Sequence, residues 1–334
     1  MRIDRLNSKN LLTRSVTLAL VVAAAPPAVA VAMPPITAEI ANDASLRSEG
    51  GPNQQGAAVL RAQILLDRAH FFPGEVDGVY GSNMAQAISG FQKNNGLHVS
   101  GVMDAPTWTA LNLDIEPVLV IYSLTEADIA GPFIEIPDDM MHKAQLDALG
   151  YRDSAEGLGE LFHTSPALLH ALNPDKDLGR VGEQILVPNL GTPTPLPKAA
   201  RVLVDRSDST VTLFDAADKI IAQFPASTGS RRDPLPIGKW KILGVARNPV
   251  FKYNPKLFWD ANPAHAKATI PAGPNNPVGV AWVALSKEHY GIHGTPEPSK
   301  IGKTQSHGCI RLTNWNVAAM GHAISPGLTA RLQE

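Results

Sequence analysis

His307, Cys309 and Arg311 fall inside one heptapeptide, SHGCIRL (306–312), and Cys309 is the only cysteine among 334 residues. A thiol beside an imidazole is biased toward thiolate, the form that attacks a carbonyl carbon. If the segment is extended, the spacing of two puts all three side chains on one face and turns Gly308 and Ile310 to the other. Gly308 then leaves room beside the thiol for a substrate, and Arg311 offers a planar fork for a carboxylate. A second imidazole, His293, stands sixteen residues upstream in YGIHGTPEP, just ahead of Gly294. A strand, a loop and a return would carry it to Cys309. Spacing alone does not choose between His293 and His307 as the base. A zinc site made of His293, His307 and Cys309 is the competing chemistry, with three ligands and an open fourth position. The closely spaced ligand pairs usual for zinc are missing, and no acidic residue close in sequence stands out as a general base. An inert buried thiol is the other alternative. The cluster around Cys309 favours a reactive thiol over both alternatives.

The thiol's environment depends on its compartment. Arg2, Arg5, Lys9 and Arg14 precede an apolar run from Val16 to Ala25, then Pro26-Pro27 and small residues at Ala30-Val31-Ala32. That is the layout of a secretory signal peptide, expected over 1–32. The run is shorter than the ~20 apolar residues of a membrane span, so no span is expected after cleavage. The expected destination is the periplasm or cell wall. One cysteine cannot form an internal disulfide, so burial of apolar side chains must hold the fold. A net charge of -2 with 18% charged residues gives no basic field for nucleic acid. About 300 residues remain after the leader, enough for two or three domains.

Residues 33–56 are polar, rich in Pro and Gly, and read as a tether. Helical spacing begins at Ala57, with Leu60, Ile64 and Leu65 on one face. Ser82 is placed to cap a second helix whose Met84, Ile88 and Phe91 share a face, and Gly96 to end it. Asp104 is placed to cap a third, with Pro106 in its first turn and Trp108 and Leu111 inward. Together these make a three-helix unit over 57–113. Residues 118–190 read as a strand at 118–122, two helices near 156–162 and 166–172, and a returning strand at 182–188. The stretch NLGTPTPLPKAA, with its cluster of Pro and Gly, marks a semi-rigid linker over 191–200. Past it, segments at 201–205, 210–215, 219–224, 238–245, 278–285 and 290–293 read as short strands separated by turns. The catalytic region, 201–334, is therefore expected to be mainly β, a sandwich or barrel-like sheet.

The segment IHGTPEPSKIGKTQSHGCIRLTNWNV is very similar to the signature of the L,D-transpeptidase (YkuD) catalytic domain. STGSRRDPLPIGKWKI (227–242) and NPVGVAWVAL (276–285) resemble that family's upstream stretches. The resemblance implies Cys309 as nucleophile and His293 as proton donor and acceptor. It also implies that Ser306, His307 and Gly308 shape the site and its oxyanion hole, and that Arg311 and Gly294 contact substrate. No metal or organic cofactor is implied. VDGVYGSNMAQAISGFQKNNGLHVSGVMDAPTWTAL resembles the peptidoglycan-binding domain family. EGLGELFHTSPALLHALNPDKDLGRVGEQILVP looks like a LysM module, although 124–147 is longer than a LysM turn. The implied partner is peptidoglycan, with stem peptides as substrate and glycan as anchor. The acyl acceptor would be a second stem's amine, a lipoprotein lysine, or water, the last making a carboxypeptidase. A catalytically inert peptidoglycan-binding protein is the rival reading.

Overall fold

The computed structural model describes residues 35–47, 51–192 and 194–334; the expected signal peptide lies outside them. Among the described residues no helix is long and apolar enough to cross a membrane.

The N-terminal part is helical: α1 (Ala38–Asn42), α2 (Ala57–Arg68), α3 (Ser82–Asn94) and α4 (Ala105–Leu111). Met84, Ile88, Phe91, Trp108 and Leu111 are all buried in one core with the apolar face of α2. Asp104 does cap α4, its carboxylate accepting from the Thr107 N–H at 2.9 Å, and Pro106 sits in the first turn. At α3 the N-cap is Gly81, one residue before Ser82, and no side chain caps it. Gly96 follows α3 in the left-handed region at φ 67°, where glycine carries no Cβ penalty.

The segment expected to be a tether is a packed part of this unit over 38–42. Ala41 is fully buried, and the Asn42 side-chain oxygen accepts from the Val118 and Leu119 N–H groups at 2.8 and 2.9 Å. The buried Arg61 guanidinium donates to the Ala41 carbonyl and to Asn112 Oδ1. Buried backbone needs such partners, and they hold α1 against the helices.

Next come β1 (Leu119–Ser123), α5 (Met140–Lys143), α6 (Ser154–Leu161), α7 (Pro166–Leu172) and β2 (Gln184–Pro188). β1 and β2 pair antiparallel, with Leu119 opposite Pro188 and Ser123 opposite Gln184. They enclose a small core of Leu124, Leu158, Leu169 and Ile185. The extra length between β1 and α6 belongs elsewhere. Ile136 and Leu149 pack with Tyr253 and Ile270 of the catalytic region.

Residues 201–334 are built on one eight-stranded sheet in the order β11-β10-β9-β6-β12-β3-β4-β5. The strands are β3 (Arg201–Asp205), β4 (Thr210–Phe214), β5 (Ile220–Pro225), β6 (Gly238–Arg247), β9 (Ala281–Leu285), β10 (Gly291–His293), β11 (Ile310–Arg311) and β12 (Thr329–Gln333). β6 is the corner. Its first residues pair with β12 and its later ones with β9, across a register shift between Ile242 and Gly244. The sheet folds over a common core, so Val204, Leu213 and Phe224 from one half meet Val283, Ile292 and Ile310 from the other. The two layers of the expected sandwich are thus halves of one curled sheet. α8 (Asn314–Ala323), which strand-period reading missed, packs into the same core through Val317, Met320 and Ala323. A two-stranded excursion, β7 (Phe251–Tyr253) with β8 (Ala268–Ile270), leaves the sheet between β6 and β9.

Two expectations of modularity change here. The 191–200 linker is docked: Leu196 is buried in the catalytic core, and the Ala199 N–H donates to the Ala323 carbonyl. The helical unit also covers the exposed edge of β5. The Phe72 N–H donates to the Gln223 carbonyl, the Gln223 N–H to the His70 carbonyl, and the Phe72 ring stacks on Phe224 at 5.0 Å. An uncovered β5 would present unpaired backbone groups to other chains.

Candidate active site

β10 and β11 run parallel, with Ile292 opposite Ile310 and His293 opposite Arg311. Cys309 immediately precedes β11, half-buried, with Sγ 3.6 Å from the His289 carbonyl oxygen. The thiol also receives the Gly291 N–H. Cys309 is thereby seated at the start of the strand whose third residue is His293.

His293 is buried, at 6% exposure, and its ring stacks on Trp282 at 5.4 Å and 16°. Nδ1 lies 2.7 Å from the Gly294 carbonyl oxygen. A carbonyl only accepts, so the proton sits on Nδ1 and Nε2 keeps its lone pair. Burial pushes the imidazole down to about 4, and Arg311 adds to this, while the Gly294 carbonyl opposes it. Burial pushes the Cys309 thiol up; the Gly291 N–H and the Arg311 charge pull it back by less. The resting groups are thus a neutral imidazole with a free acceptor nitrogen and a protonated thiol. Gly291 is needed because a Cβ there would stand 2.5 Å from the Trp282 ring.

The turn before Cys309 is not extended. Gly308 has φ 104°, and a Cβ on it would come within 2.8 Å of Tyr290. Ser306 Oγ donates to the Cys309 carbonyl and accepts from the Gly308 N–H at 3.1 Å. Ser306 therefore braces the turn, and the Gly308 N–H expected in an oxyanion hole is already engaged. The bend also breaks the alternation that would align His307 with Cys309. His307 turns to the β7–β8 excursion, with Nε2 2.9 Å from Asp260 Oδ1 and its ring edge-on to Phe258. Among the described residues no group of three His, Cys, Asp or Glu side chains could hold a metal ion.

The other predicted contacts shift as well. Arg311 Nη2 donates to the Gln305 carbonyl at 2.6 Å and to Thr304 Oγ1 at 3.1 Å, while its buried Nε has no partner. The guanidinium is thus partly committed to the loop between His293 and Cys309. Gly294 serves packing: a Cβ there would lie 2.3 Å from Asn314 Oδ1.

Three residues outside the predicted set position the site. Asn314, buried at the start of α8, accepts from the Val280 N–H and donates to Glu160 Oε1 at 2.6 Å and to the Pro274 carbonyl. It fixes α8 against Gly294, whose carbonyl orients His293. Ser227 exchanges backbone bonds with Arg311, and its Oγ accepts from the Gly302 N–H at 3.0 Å. Asn83, in the first turn of α3, donates to the Ile301 carbonyl at 2.9 Å, and a Cβ on Gly302 would fall 2.0 Å from its Oδ1. No local spacing signals these partners; the Asn83 contact joins residues 218 apart.

Residues 199–330 match the family model described as "L,D-transpeptidase catalytic domain" (YkuD). Residues 55–111 match that described as "Putative peptidoglycan binding domain". Over 177 residues the chain is 30% identical to the Bacillus licheniformis protein named "Putative L,D-transpeptidase YkuD", covering 52% of this chain and 90% of that one. It is 38% identical over 198 residues to the Escherichia coli K12 protein named "Probable L,D-transpeptidase YbiS", covering 58% and 61%. Among solved structures, an L,D-transpeptidase from Xylanimonas cellulosilytica aligns over 86% of this chain and 98% of its own, at 16% identity and a TM-score of 0.38.

Proposed function

We propose, from the premise that the chain belongs to the L,D-transpeptidase (YkuD) family, that Cys309 and His293 carry out acyl transfer on peptidoglycan stem peptides outside the cytoplasm. The observation that carries this reading is the pair itself: a thiol at the start of β10 and an imidazole two residues along it with Nε2 free.

Cys309 attacks the carbonyl of the third stem residue, a diaminopimelate-type residue, as its proton passes to His293 Nε2. Collapse of the tetrahedral intermediate breaks the amide to the terminal D-alanine. That D-alanine leaves with the proton from His293, and a thioester remains on Sγ. An incoming amine then attacks the thioester, gives its proton to His293, and expels the thiolate. Ser306 holds the Cys309 turn, and Arg311 steadies the loop that closes over the thiol. With the Gly308 N–H engaged, oxyanion stabilisation falls to other donors near Cys309. The leader at 1–32 would export the chain, and the helical unit would add wall affinity.

The test is mass spectrometry of purified protein with a soluble tetrapeptide-bearing muropeptide, alone and with an acceptor stem. The expected species are a Cys309 acyl-enzyme lacking one D-alanine and, with acceptor, a cross-linked dimer. Tripeptide alone, even with acceptor in excess, would make water the acceptor. No adduct in wild type under any condition would reject cysteine acyl transfer.

A further inference from the structure

The segment carrying the thiol has two flanks. β10 lies along one, with His293 opposite Arg311. Residues 227–230 lie along the other, through a Ser227–Arg311 bridge and a Gly229–Ser306 bridge. The proposed chemistry uses the first flank, where the leaving and incoming amines meet His293. On the second, the chain runs on through Arg231, Arg232 and Asp233 and meets the loop between β7 and β8. The Arg232 guanidinium carbon stands 4.1 Å from the centre of the Trp259 ring, and the Trp259 Nε1–H donates to Asp233 Oδ2 at 2.8 Å. The same indole packs beside the His307 ring at 5.9 Å, and His307 in turn bonds Asp260. Tyr290, whose ring edge meets Gly308, feels the charges of both Cys309 and Asp233, so the cluster lies near the thiol. Arg232 is exposed, and Trp259 is 54% exposed. Among the described residues the Arg232 guanidinium enters no hydrogen bond or ion pair; its contact is the indole face.

Stacking on the indole fixes the plane of the guanidinium and leaves its N–H groups uncommitted. That is a preoriented fork for a carboxylate, with little ordering left to do on binding. Asp233 and Asp260 stand beside the fork. They would repel a bare anion, yet attract an ammonium carried next to a carboxylate. The ligand that satisfies both signs is an amino-acid terminus. We propose that the Arg232–Trp259 pair binds the free amino-acid end of the donor stem's third side chain. Arg232 takes its carboxylate, and the flanking acids take its ammonium. The inference rests on the proposed function for the identity of the donor and adds its specificity. A diaminopimelate with that carboxyl free is preferred to one amidated there, and to lysine, which lacks the group. The terminal D-alanine carboxylate is not the ligand, because the amine of that residue must reach His293 on the opposite flank. Arg311 does not supply the fork, since Gln305 and Thr304 already hold its Nη2.

The experiment is isothermal titration calorimetry of the full chain carrying Cys309→Ala, which binds a donor without consuming it. Three soluble tetrapeptide muropeptides serve as probes: the free diaminopimelate form, the same with its side-chain carboxyl amidated, and the same with its side-chain amine acetylated. Amidation should weaken binding about tenfold or more, and acetylation several-fold, each removing one charge-assisted contact. Adding Arg232→Gln should weaken the free form about tenfold and abolish its advantage over the amide. Arg232→Lys keeps the charge without the planar fork and should restore only part of that advantage. Arg232 is exposed, so melting temperature should hold in both. No saturable binding of the free form overturns the inference, and so does equal affinity for the free and amidated forms. An advantage that survives Arg232→Gln overturns it too, by placing the carboxylate elsewhere. Indifference to acetylation overturns the amino-acid assignment. Formation of the Cys309 acyl-enzyme by wild type is a separate readout, and its failure would count against the proposed chemistry and not against this subsite.

Discussion

If the thiol and imidazole rest neutral, Cys309 should behave as an ordinary or weak thiol until substrate arrives, and His293 should matter for acyl transfer but not for the reactivity of the resting thiol. The structure supplies the magnitudes. Burial brings His293 from 6.5 to about 4, and at ~1.4 kcal/mol per unit this opposes its protonation by about 3 kcal/mol. The thiol is raised above its ordinary 9.0, so moving its proton to His293 spans more than five units, or ~7 kcal/mol. Attraction between adjacent opposite charges typically returns only ~4 kcal/mol at an effective dielectric near 20. The neutral pair is therefore favoured at rest, and the ion pair is a minor species. The assay is the rate of Cys309 alkylation by iodoacetamide from pH 4 to 10, in wild type and His293→Ala. The wild-type rate should climb through pH 9 without a plateau near neutrality, and His293→Ala should lie within a few-fold of it. The same variant should lose about 10²–10⁴-fold in acylation by a muropeptide donor, the usual worth of a positioned base. An alkylation plateau at pH 6–7 that His293→Ala abolishes would show a preformed ion pair and refute this reasoning.

Cys309→Ala should melt within a few degrees of wild type and form no acyl-enzyme, and Cys309→Ser should be nearly as inactive, its hydroxyl being far less ionised; turnover by either excludes cysteine catalysis. Glu160, raised by burial from 4.5 to about 7, contributes stability that is full below pH 4.5 and lost as pH rises through 7, because the folded state holds the proton longer. Glu160→Gln should therefore gain on wild type by up to ~3 kcal/mol between pH 4.5 and 8 in urea unfolding, and a gap that does not widen with pH would contradict this. Asn83→Ala should lower kcat on a small soluble donor about fivefold with KM and melting temperature little changed, the worth of one ~1 kcal/mol hydrogen bond acting through the 297–305 loop; kinetics equal to wild type would uncouple that loop from α3. Deleting residues 35–190 should give a chain that aggregates or melts well below wild type, since it strips Phe72 from Phe224 and bares the β5 edge; a stable, active monomer would show the units to be independent.

Much of the site was legible because it is local. Cys309, Ser306 and Gly308 lie within four residues, and a sole cysteine set among His, Gly and Arg is a chemical anomaly in any sequence. His293 was legible as a candidate, but choosing it over His307 needed the family resemblance. In the structure the two histidines are separated at one residue, Gly308. Its left-handed backbone breaks the alternation on which the His307 alignment depended and sends the ring to Asp260. Strands with clear alternation, such as 201–205, emerged as read. α8 did not, because with Trp315, Val317, Ala319 and Met320 around its circumference it presents no polar stripe to a periodicity test.

What escaped the sequence altogether is the coupling of units, and the reason is physical. A Pro- and Gly-rich stretch such as 191–200 shows that the chain is stiff and irregular there, not whether Leu196 has a pocket to enter. Likewise Gly90 and Gly302 look like weak points of a helix and a loop. In the structure each is an absence of Cβ shaped to another unit: Gln223 Oε1 would stand 2.4 Å from a Cβ on Gly90, and Asn83 Oδ1 2.0 Å from one on Gly302. Such contacts serve no purpose in a freely tethered anchor. They bind the helical unit to β5 on one side and, through Ile301 and Ser227, to the segment paired with Arg311 on the other. A unit that holds the 297–305 loop is continuous with the segment that carries Cys309, so on the proposed function wall binding and acyl transfer would share one framework.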